Sequence, residues 1–364
     1  MSIRTALAHD HLTQFGGAEQ VLNELKSVLP ESILYTLIYD PKAFGNLFSD
    51  WKIKTSFLQN LPGNPKLFKW YLSLMPAAVE SLDVGDVDVL VSSCSALIKG
   101  IITKPETIHI SYCHSPTRYL WSDTHQYTED LEQPRFIKKL LPLVLTKLRI
   151  WDQLAANRVD YFLANSHYVA QRIKKYYRRD AQVIYPPVPT KQFIVSKSVE
   201  DFFLVVSRLR PYKRVDVAIR AFNKLGIPLK IIGVGEQYNE LTKIAKNNVE
   251  FLGAVTEAEK KEYLSKAKAL IFPQEEDFGI TAVESLASGR PVIAFNKGGS
   301  REIIKEGING EFFSEQTWEA LADKVIHFKP EKYDIDQVLK SAETFDSKVF
   351  SEKIQNFISD ARKK

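Results

Sequence analysis

The chain alternates short β-rich runs with amphipathic helical patterns, and this alternation occurs twice along its 364 residues. In the first half, strands are predicted at residues 3–8, 32–37, 87–92, 107–111 and 161–164, and a helix follows the first of them at 18–29. In the second half, strands are predicted at 202–206, 229–232, 249–252, 269–272 and 292–294, with helices at 215–225 and 256–267. Because strands that alternate with helices pair in parallel, the predicted class is α/β, with two doubly wound, Rossmann-like parallel-sheet domains.

The most proline-dense segment, VIYPPVPTKQF at residues 183–193, separates the two patterns. Proline cannot continue a helix or an inner strand, so this segment is predicted to link two domains. We expect an N-terminal domain over residues 1–185, a C-terminal domain over 186–345, and a C-terminal helix over 346–364 that packs back toward the N-terminal domain. Ligands of doubly wound sheets bind at the carboxyl ends of the strands, so two facing sheets predict a ligand cleft between the domains.

Charge and cysteine content narrow the classes of function. A formal charge of +5 is too weak for a dedicated nucleic-acid binder, so no nucleic acid is expected as a partner. The two cysteines, Cys94 and Cys113, offer neither a disulfide framework nor a metal spacing, which suits a reducing compartment. The opening residues MSIRTALAHDHL lack the apolar core of a signal peptide, and no uncharged run approaches the roughly 20 residues of a spanning helix. The chain is therefore expected in the cytoplasm.

The segment FPQEEDFGITAVESLASGRPVIAF at residues 272–295 predicts a strand, a loop and a helix in succession. Gly279 lies at the predicted helix N-terminus, where free backbone N–H groups and the positive end of the helix dipole favour a phosphate. Glu276 precedes this point and Glu284 lies about one turn inside the helix, so the two acids flank the phosphate position. A nucleotide sugar, with hydroxyls on both sides of a diphosphate, has the matching layout. The alternative is a solvated loop acid and an outward-facing helical acid.

Two other segments follow predicted strands and offer groups for the same kind of ligand. SRLRPYKRVD at residues 207–216 places Arg208 and Lys213 in a strand-to-helix loop, where a guanidinium and an ammonium can neutralise a diphosphate. HDHLTQFGGAEQV at residues 9–21 places Gly16 and Gly17 between a strand and a helix, where the backbone can approach a ligand closely. A basic surface loop and an ordinary tight turn are the respective alternatives.

Together these segments resemble the retaining glycosyltransferases of family 4, whose two-domain architecture is called GT-B. The resemblance is carried by the E-x7-E element with its central Phe-Gly, the Arg and Lys of SRLRPYK, the GGAE loop, FLG at 251–253 and YCHSPTRYLW at 112–121. HDHLT, YCHSPTRYLW, AANRVDYFLANS and YPPV are similar, more narrowly, to the bacterial mannosyltransferase-like branch that builds O-antigen and exopolysaccharide. One difference is Trp121-Ser122-Asp123, where the branch usually reads Trp-Asp.

The resemblance implies roles for particular residues. The implied donor-binding residues are Gly16, Gly17, Arg208, Lys213, Phe251, Leu252, Gly253, Glu276, Phe278, Gly279, Ile280 and Glu284. The implied catalytic residues are Glu276, His114, Arg208 and Lys213. On this basis Glu276 holds sugar hydroxyls, Glu284 binds the ribose, and His114 sits beside the donor sugar. Residues 278–280 present backbone amides to the sugar and the phosphate. Arg208 and Lys213 hold the diphosphate, which Gly16 and Gly17 approach from the N-terminal domain, and residues 251–253 cradle the base.

The implied reaction moves a hexose from GDP-mannose or a UDP-hexose such as UDP-glucose to a glycan or polyprenyl-linked acceptor. Family members are thought to retain configuration by same-face attack, with the departing phosphate oxygen taking the acceptor's proton. No metal and no other cofactor is expected, since Asp86-Val87-Asp88 opens an apolar strand rather than a metal site. His9, Asp10 and His11 are expected to line the cleft. A GT-B epimerase or phosphorylase, or a catalytically silent nucleotide-sugar-binding subunit, are the alternatives.

The segment PRFIKKLLPLVLTKLRIW at residues 134–151 mixes cations with a long apolar run that ends in tryptophan. A basic amphipathic segment of this kind can lie on an anionic membrane surface, here the inner face of the plasma membrane, with Lys138 and Lys139 near the lipid. The alternative is that its leucines pack on the sheet while its cations face water. Pro142 is expected to break any single long helix.

Overall fold

The structure, a computed structural model, describes residues 3–65, 68–124 and 135–363, with only the backbone described for residues 69 and 135–140. The chain divides into two compact units. One unit comprises Met1–Tyr185 and Ser351–Lys364, and the other comprises Pro186–Phe350. Each unit is built around its own parallel sheet, so each presents its own row of strand carboxyl ends.

The first unit contains a seven-stranded sheet over the described residues, in the order β3-β2-β1-β4-β5-β6-β7. Its strands are β1 (Thr5–His9), β2 (Ile33–Thr36), β3 (Ile53–Thr55), β4 (Val89–Cys94), β5 (Ile108–Cys113), β6 (Tyr161–Ala164) and β7 (Ala181–Val183). Its helices are α1 (Gly17–Val28), α2 (Met75–Glu80), α3 (Arg135–Ala156) and α4 (His167–Tyr177). Neighbouring strands pair in parallel throughout.

Burial on both faces explains the composition of the central strands of this sheet. Every residue of β4 is buried, as expected for a parallel strand that is covered by helices on both sides. Leu145 and Leu148 of α3 pack into the same core as Leu90 of β4. In a second core of the same unit, Val169 and Ile173 of α4 pack with residues of β5 and β6.

The second unit contains a six-stranded parallel sheet over the described residues, in the order β10-β9-β8-β11-β12-β13. Its strands are β8 (Phe203–Val206), β9 (Leu229–Ile232), β10 (Val249–Gly253), β11 (Leu270–Phe272), β12 (Val292–Phe295) and β13 (Gly310–Phe313). Its helices are α5 (Val215–Leu225), α6 (Tyr238–Ile244), α7 (Glu257–Lys266), α8 (Ile280–Ala287), α9 (Ser300–Ile303), α10 (Trp318–His327) and α11 (Ile335–Ala342). A last helix, α12 (Ser347–Ala361), begins in this unit, and its residues from Ser351 onward belong to the first unit.

The predicted fold class is confirmed, since both sheets are parallel and carry connecting helices. Each of the ten predicted strands is present, although the predictions missed β3, β7 and β13. The expectation that Pro142 breaks the long helix is wrong, because α3 continues through it. Pro142 is exposed, so water can satisfy the carbonyl that loses its helical partner. Among the helices of the described ranges, none combines the length and the apolarity that a membrane span requires.

Candidate active site

The loop between β11 and α8 is shaped by a glycine that no other residue replaces without strain. Gly279 has φ 116° and ψ 59°, in the left-handed region that favours glycine. A Cβ at this position would lie 3.0 Å from the ring of the buried Phe272. The chain therefore turns at Gly279 directly into α8, and the first amides of this eight-residue helix follow at once.

A pair of glycines, Gly298 and Gly299, follows the neighbouring strand β12 and packs against the same loop. A Cβ at Gly298 would lie 2.4 Å from the carbonyl oxygen of Glu276, and one at Gly299 would lie 2.4 Å from the Cα of Phe278. The N–H of Gly299 donates to the carbonyl of Glu276 at 2.9 Å. This pair was not predicted, although two consecutive glycines a few residues after a predicted strand are a signal for close backbone approach.

The side chains of Lys213 and Glu276 form an ion pair at the carboxyl ends of two neighbouring strands. Lys213 follows β8 and Glu276 follows β11, which lies beside β8 in the sheet. The two side chains are only 15% and 17% exposed, so their pairing compensates two charges that are largely removed from water. Parallel pairing thus brings together two predicted site residues that are 63 positions apart in sequence.

Arg208 lies in the same segment as Lys213, two residues after β8, and is half-buried. This segment is packed closely against the end of β9. A Cβ at Gly233 would lie 1.8 Å from the carbonyl oxygen of Ser207, and one at Gly235 would lie 2.3 Å from that of Leu209. These contacts fix the backbone of the segment that carries both predicted cations.

Glu284 lies on the buried side of α8, with a side chain that is 7% exposed. The ammonium of Lys260, on α7, lies 3.0 Å from its carboxylate and 2.9 Å from that of Glu257. Burial raises the pKa of Glu284, and the ammonium of Lys260 opposes this shift. The alternative in which Glu284 faces water is therefore wrong. Lys260 was not anticipated, because its partner lies 24 residues away on another helix.

The other predicted donor-binding residues of this unit contribute backbone rather than polar side chains. The ring of Phe278 is buried against Phe345, with centroids 5.5 Å apart, so only its backbone can face a ligand. Ile280 is half-buried and is the first residue of α8. Phe251, Leu252 and Gly253 end the edge strand β10, where a bulge interrupts the register between Phe251 and Gly253.

In the first unit, Gly16 and Gly17 lie at the start of α1. Gly16 has φ −162° and ψ −164°, an extended conformation open to any residue. The backbone conformation at Gly16 therefore does not require a glycine. Gly17 is the first helical residue and is exposed. The predicted close approach to a ligand by these two residues stays a prediction.

His114 follows β5 and belongs to a line of polar side chains at the carboxyl ends of β1, β4 and β5. Its Nε2 lies 2.8 Å from Oγ of Ser93, and the same Oγ lies 3.1 Å from Nδ1 of His9. Nε2 of His9 lies 3.5 Å from a carboxylate oxygen of Glu19 on α1. Burial lowers the pKa of His114 to about 4, so its ring is neutral near neutral pH. Neither Ser93 nor Glu19 was predicted to be a site residue.

Asp10 serves the backbone rather than a ligand. Its carboxylate accepts hydrogen bonds from the N–H groups of residues 95, 96, 97 and 98 at 2.6–2.9 Å, and the residue is 2% exposed. Burial opposes ionisation, but His11, His9 and these amides together lower the pKa of Asp10. Asp10 therefore has a structural role in the turn after β4.

The two acids of the Asp-x-Asp sequence each form an ion pair with a basic side chain. Asp86 pairs with Lys104, and Asp88 pairs with Arg4 at 2.9 Å. Within the part of the chain that the structure describes, no group of three or more histidine, cysteine or acidic side chains is arranged to hold a metal ion.

Two family models cover the chain in succession. The model described as Glycosyltransferase Family 4 matches residues 15–192, and the model described as Glycosyl transferases group 1 matches residues 189–343. The first therefore spans most of the first unit, and the second spans most of the second unit.

Several curated proteins are similar in sequence. An uncharacterised glycosyltransferase of Methanocaldococcus jannaschii is 30% identical over 185 residues, which make up 50% of this chain and 52% of that protein. The alpha-1,3/1,6-mannosyltransferase ALG2 of Rhizomucor pusillus is 25% identical over 384 residues, with 85% of this chain and 80% of that protein covered. The chain thus spans about half the length of the archaeal relative.

Among solved structures, that of Anabaena HepE in complex with UDP and glucose matches with a TM-score of 0.73. The match covers 98% of this chain and 100% of that one at 17% sequence identity. At this level of identity the likeness shows the fold, which is the two-sheet GT-B architecture.

Proposed function

The chain belongs to glycosyltransferase family 4, and on that premise we propose that it transfers a hexose from a nucleoside-diphosphate sugar to a glycan or lipid-linked glycan. The family is a retaining one, so the product keeps the anomeric configuration of the donor. The proposed donor is GDP-mannose or a UDP-hexose such as UDP-glucose.

The observation that carries this proposal is the Lys213–Glu276 pair beside the N-terminus of α8. The ammonium and the carboxylate compensate each other in a largely buried position. A nucleotide sugar can replace both halves of this contact, since its hydroxyls donate to the carboxylate while its phosphate oxygens accept from the ammonium. A ligand with a phosphate but no hydroxyl would offer the Glu276 carboxylate no donor.

The same groups account for the chemistry. Departure of the nucleoside diphosphate leaves negative charge on its oxygens, which we expect Lys213, Arg208 and the first amides of α8 to stabilise. The departing phosphate oxygen takes the proton of the attacking hydroxyl on the same face of the sugar. This step needs neither an enzymic nucleophile nor a metal ion, so we expect activity to survive EDTA. Loss of activity on chelation that Mn²⁺ or Mg²⁺ restores would contradict this part of the proposal.

The nucleoside end is proposed to lie further along α8 and at the end of β10. Glu284 would accept hydrogen bonds from the ribose hydroxyls, in place of part of its contact with Lys260. Lys260 keeps a second carboxylate, that of Glu257, at 2.9 Å. The ammonium therefore stays compensated when Glu284 turns to the ribose.

Relatives support two donors. The name of the Rhizomucor pusillus relative supports a mannosyl donor, whereas the UDP and glucose in the Anabaena structure support UDP-glucose. We propose that residues 251–253 recognise the base largely through backbone groups, so the side chains there favour neither base.

The acceptor is proposed to be carried by a lipid, with α3 resting on an anionic membrane surface. Leu143, Ile150 and Leu154 are 64%, 57% and 57% exposed, and they recur with Lys147 along one face of α3. Exposed apolar residues beside cations favour an interfacial position. Lys138 and Lys139 were also predicted to lie near the lipid, but their side chains lie outside the described residues. Co-sedimentation with anionic vesicles should weaken with salt and in Leu143→Ser/Ile150→Ser, and unchanged binding by that variant would contradict this surface.

The proposed donor class is tested by a thermal-shift screen of UDP, GDP and ADP followed by consumption of the matching nucleotide sugar. A nucleotide present at 100 times its dissociation constant stabilises the fold by about 2.7 kcal/mol. We expect one nucleotide to stabilise the wild type and its sugar to be consumed only when an acceptor is present. Consumption that depends on inorganic phosphate would indicate a phosphorylase, and absence of binding by all three nucleotides would contradict the proposal.

A further inference from the structure

Three side chains at the carboxyl ends of β1, β4 and β5 and one on α1 form a continuous polar line in the first unit, made of one ion-pair contact and two hydrogen bonds. The line runs from Glu19 through His9 and Ser93 to His114, with successive distances of 3.5, 3.1 and 2.8 Å. His9, Glu19 and Ser93 are 2%, 7% and 0% exposed, whereas His114 is half-buried. His114 is thus the member through which the line can meet a ligand.

The donors and acceptors of this line depend on one another. A neutral His9 that donates from Nε2 to the Glu19 carboxylate has an unprotonated Nδ1, which can only accept. The hydroxyl of Ser93 must then donate to Nδ1 of His9 and accept from Nε2 of His114. This direction places the single ring proton of a neutral His114 on Nε2 and leaves a lone pair on Nδ1.

The remaining hydrogen bonds of His114 involve its backbone, and its ring packs edge-on against that of Tyr112 with centroids 5.2 Å apart. Its N–H donates to the carbonyl of Cys94 at 2.8 Å, and its carbonyl accepts from the side chain of Asn165 at 2.9 Å. Among the hydrogen bonds given by the described residues, the ring is therefore held through Nε2, and Nδ1 is the nitrogen left for a ligand.

We propose that this line fixes His114 as the Nε2–H tautomer, so that Nδ1 accepts a hydrogen bond from a hydroxyl of the bound sugar. Ser93, His9 and Glu19 are then positioning residues, because they act on the ligand through His114. That the ligand is a sugar rests on the proposed function, whereas the tautomer does not.

A hydrolytic triad is the obvious alternative for a line of Glu, His and Ser. A nucleophilic serine must reach a substrate carbon, but Ser93 is fully buried and its Oγ lies between two imidazole nitrogens. Ser93 therefore links the hydrogen bonding of His9 to that of His114 and is not a nucleophile.

The tautomer is tested on the free, full-length chain labelled with ¹⁵N in its histidines. Two-bond ¹H–¹⁵N spectra distinguish a protonated from an unprotonated ring nitrogen, and His114→Gln identifies the signals of His114. Near neutral pH we expect Nε2 of His114 to be protonated and Nδ1 to be unprotonated. A ring protonated on Nδ1 under these conditions overturns the proposal, whatever substrate the protein uses.

Ser93→Ala tests the connection, and Ser92→Ala is its matched control. Ser92 is also fully buried on β4, and its hydroxyl lies 2.9 Å from Nε2 of His109, outside the line. We expect Ser93→Ala to give mixed tautomers of His114, while Ser92→Ala alters His109 alone and leaves His114 protonated on Nε2. A His114 ring that stays a single Nε2–H tautomer in Ser93→Ala overturns the proposal.

The ligand contact is tested by the kinetics of donor consumption. Ser93→Ala should lower kcat/KM by about three- to tenfold, the effect of one neutral hydrogen bond, while Ser92→Ala should not. A fixed tautomer with an unchanged kcat/KM in Ser93→Ala overturns the contact with the sugar. If the wild type consumes no nucleotide sugar, the proposed function fails, and the spectra still decide the tautomer.

Discussion

Lys213→Met removes the ammonium that faces Glu276 while keeping most of the side-chain volume. Both side chains are at least four-fifths buried, so the variant leaves a carboxylate without its compensating charge. An unsatisfied buried polar group costs about 1–3 kcal/mol, and more when it is charged. The transition state also loses one stabiliser of the leaving diphosphate, which lowers turnover by about 100-fold, or about 2.7 kcal/mol.

The double variant Lys213→Met/Glu276→Gln separates these two effects. It leaves no unpaired charge, so we expect thermal unfolding to recover most of the stability lost in Lys213→Met. Turnover should not recover, because neither the diphosphate nor the sugar regains its partner. Lys268→Met is the control, since it breaks the pair with the 79% exposed Asp201 in the same unit and should leave turnover unchanged.

Near-normal turnover in Lys213→Met would refute the reasoning. So would a double variant that regains activity along with stability, because the ion pair would then serve only the fold.

Three other changes give separate tests. Arg208→Ala should lower turnover by about 100-fold, because it removes a second stabiliser of the leaving diphosphate. Activity equal to that of the wild type would remove Arg208 from the site. Gly279→Ala should lower the free energy of unfolding by about 1–3 kcal/mol and weaken nucleotide binding, because φ at Gly279 is 116° and a Cβ would meet the Phe272 ring. Gly307→Ala is the control: its φ is 77°, a Cβ there would meet no atom within 4 Å, and nucleotide binding should stay intact. Asp10→Asn should lower the free energy of unfolding by about 1–3 kcal/mol at neutral pH. Because folding lowers the pKa of Asp10, the stability that its carboxylate contributes is present above the unfolded pKa of about 3.9 and is lost as pH falls through the folded pKa. The difference in stability between the variant and the wild type should therefore shrink in acid-unfolding curves.

The inner strands could be predicted from the sequence because they are apolar on both faces. β4 and β11 are buried along their whole length, and their runs of apolar residues stand out from the flanking loops. The three strands that were missed, β3, β7 and β13, all lie at sheet edges and have only three or four residues. β3 and β7 contain no buried residue, so neither hydrophobicity nor periodicity marks them.

The predicted loop and helix around Gly279 were local features, and the sequence alone could indicate them. The partners of the site residues were not local. Ser93 meets His9 across 84 residues because β1 and β4 are neighbours in the sheet. Lys260 reaches Glu284 from another helix. Such contacts follow from strand order and helix packing, which a pattern of residue types does not specify.

Calorimetric titration with a nucleoside diphosphate and with its sugar conjugate tests most directly whether Glu276 binds the donor sugar. For the wild type, the conjugate should bind more tightly than the nucleotide alone. In Glu276→Gln this difference should fall by about 1.5–3 kcal/mol, the worth of hydrogen bonds to a charged group, while affinity for the nucleotide alone stays within a few fold. Glu275→Gln, which alters the adjacent carboxylate paired with Lys297, should retain the full difference. A Glu276→Gln variant that binds the sugar conjugate as tightly as wild type would contradict the account.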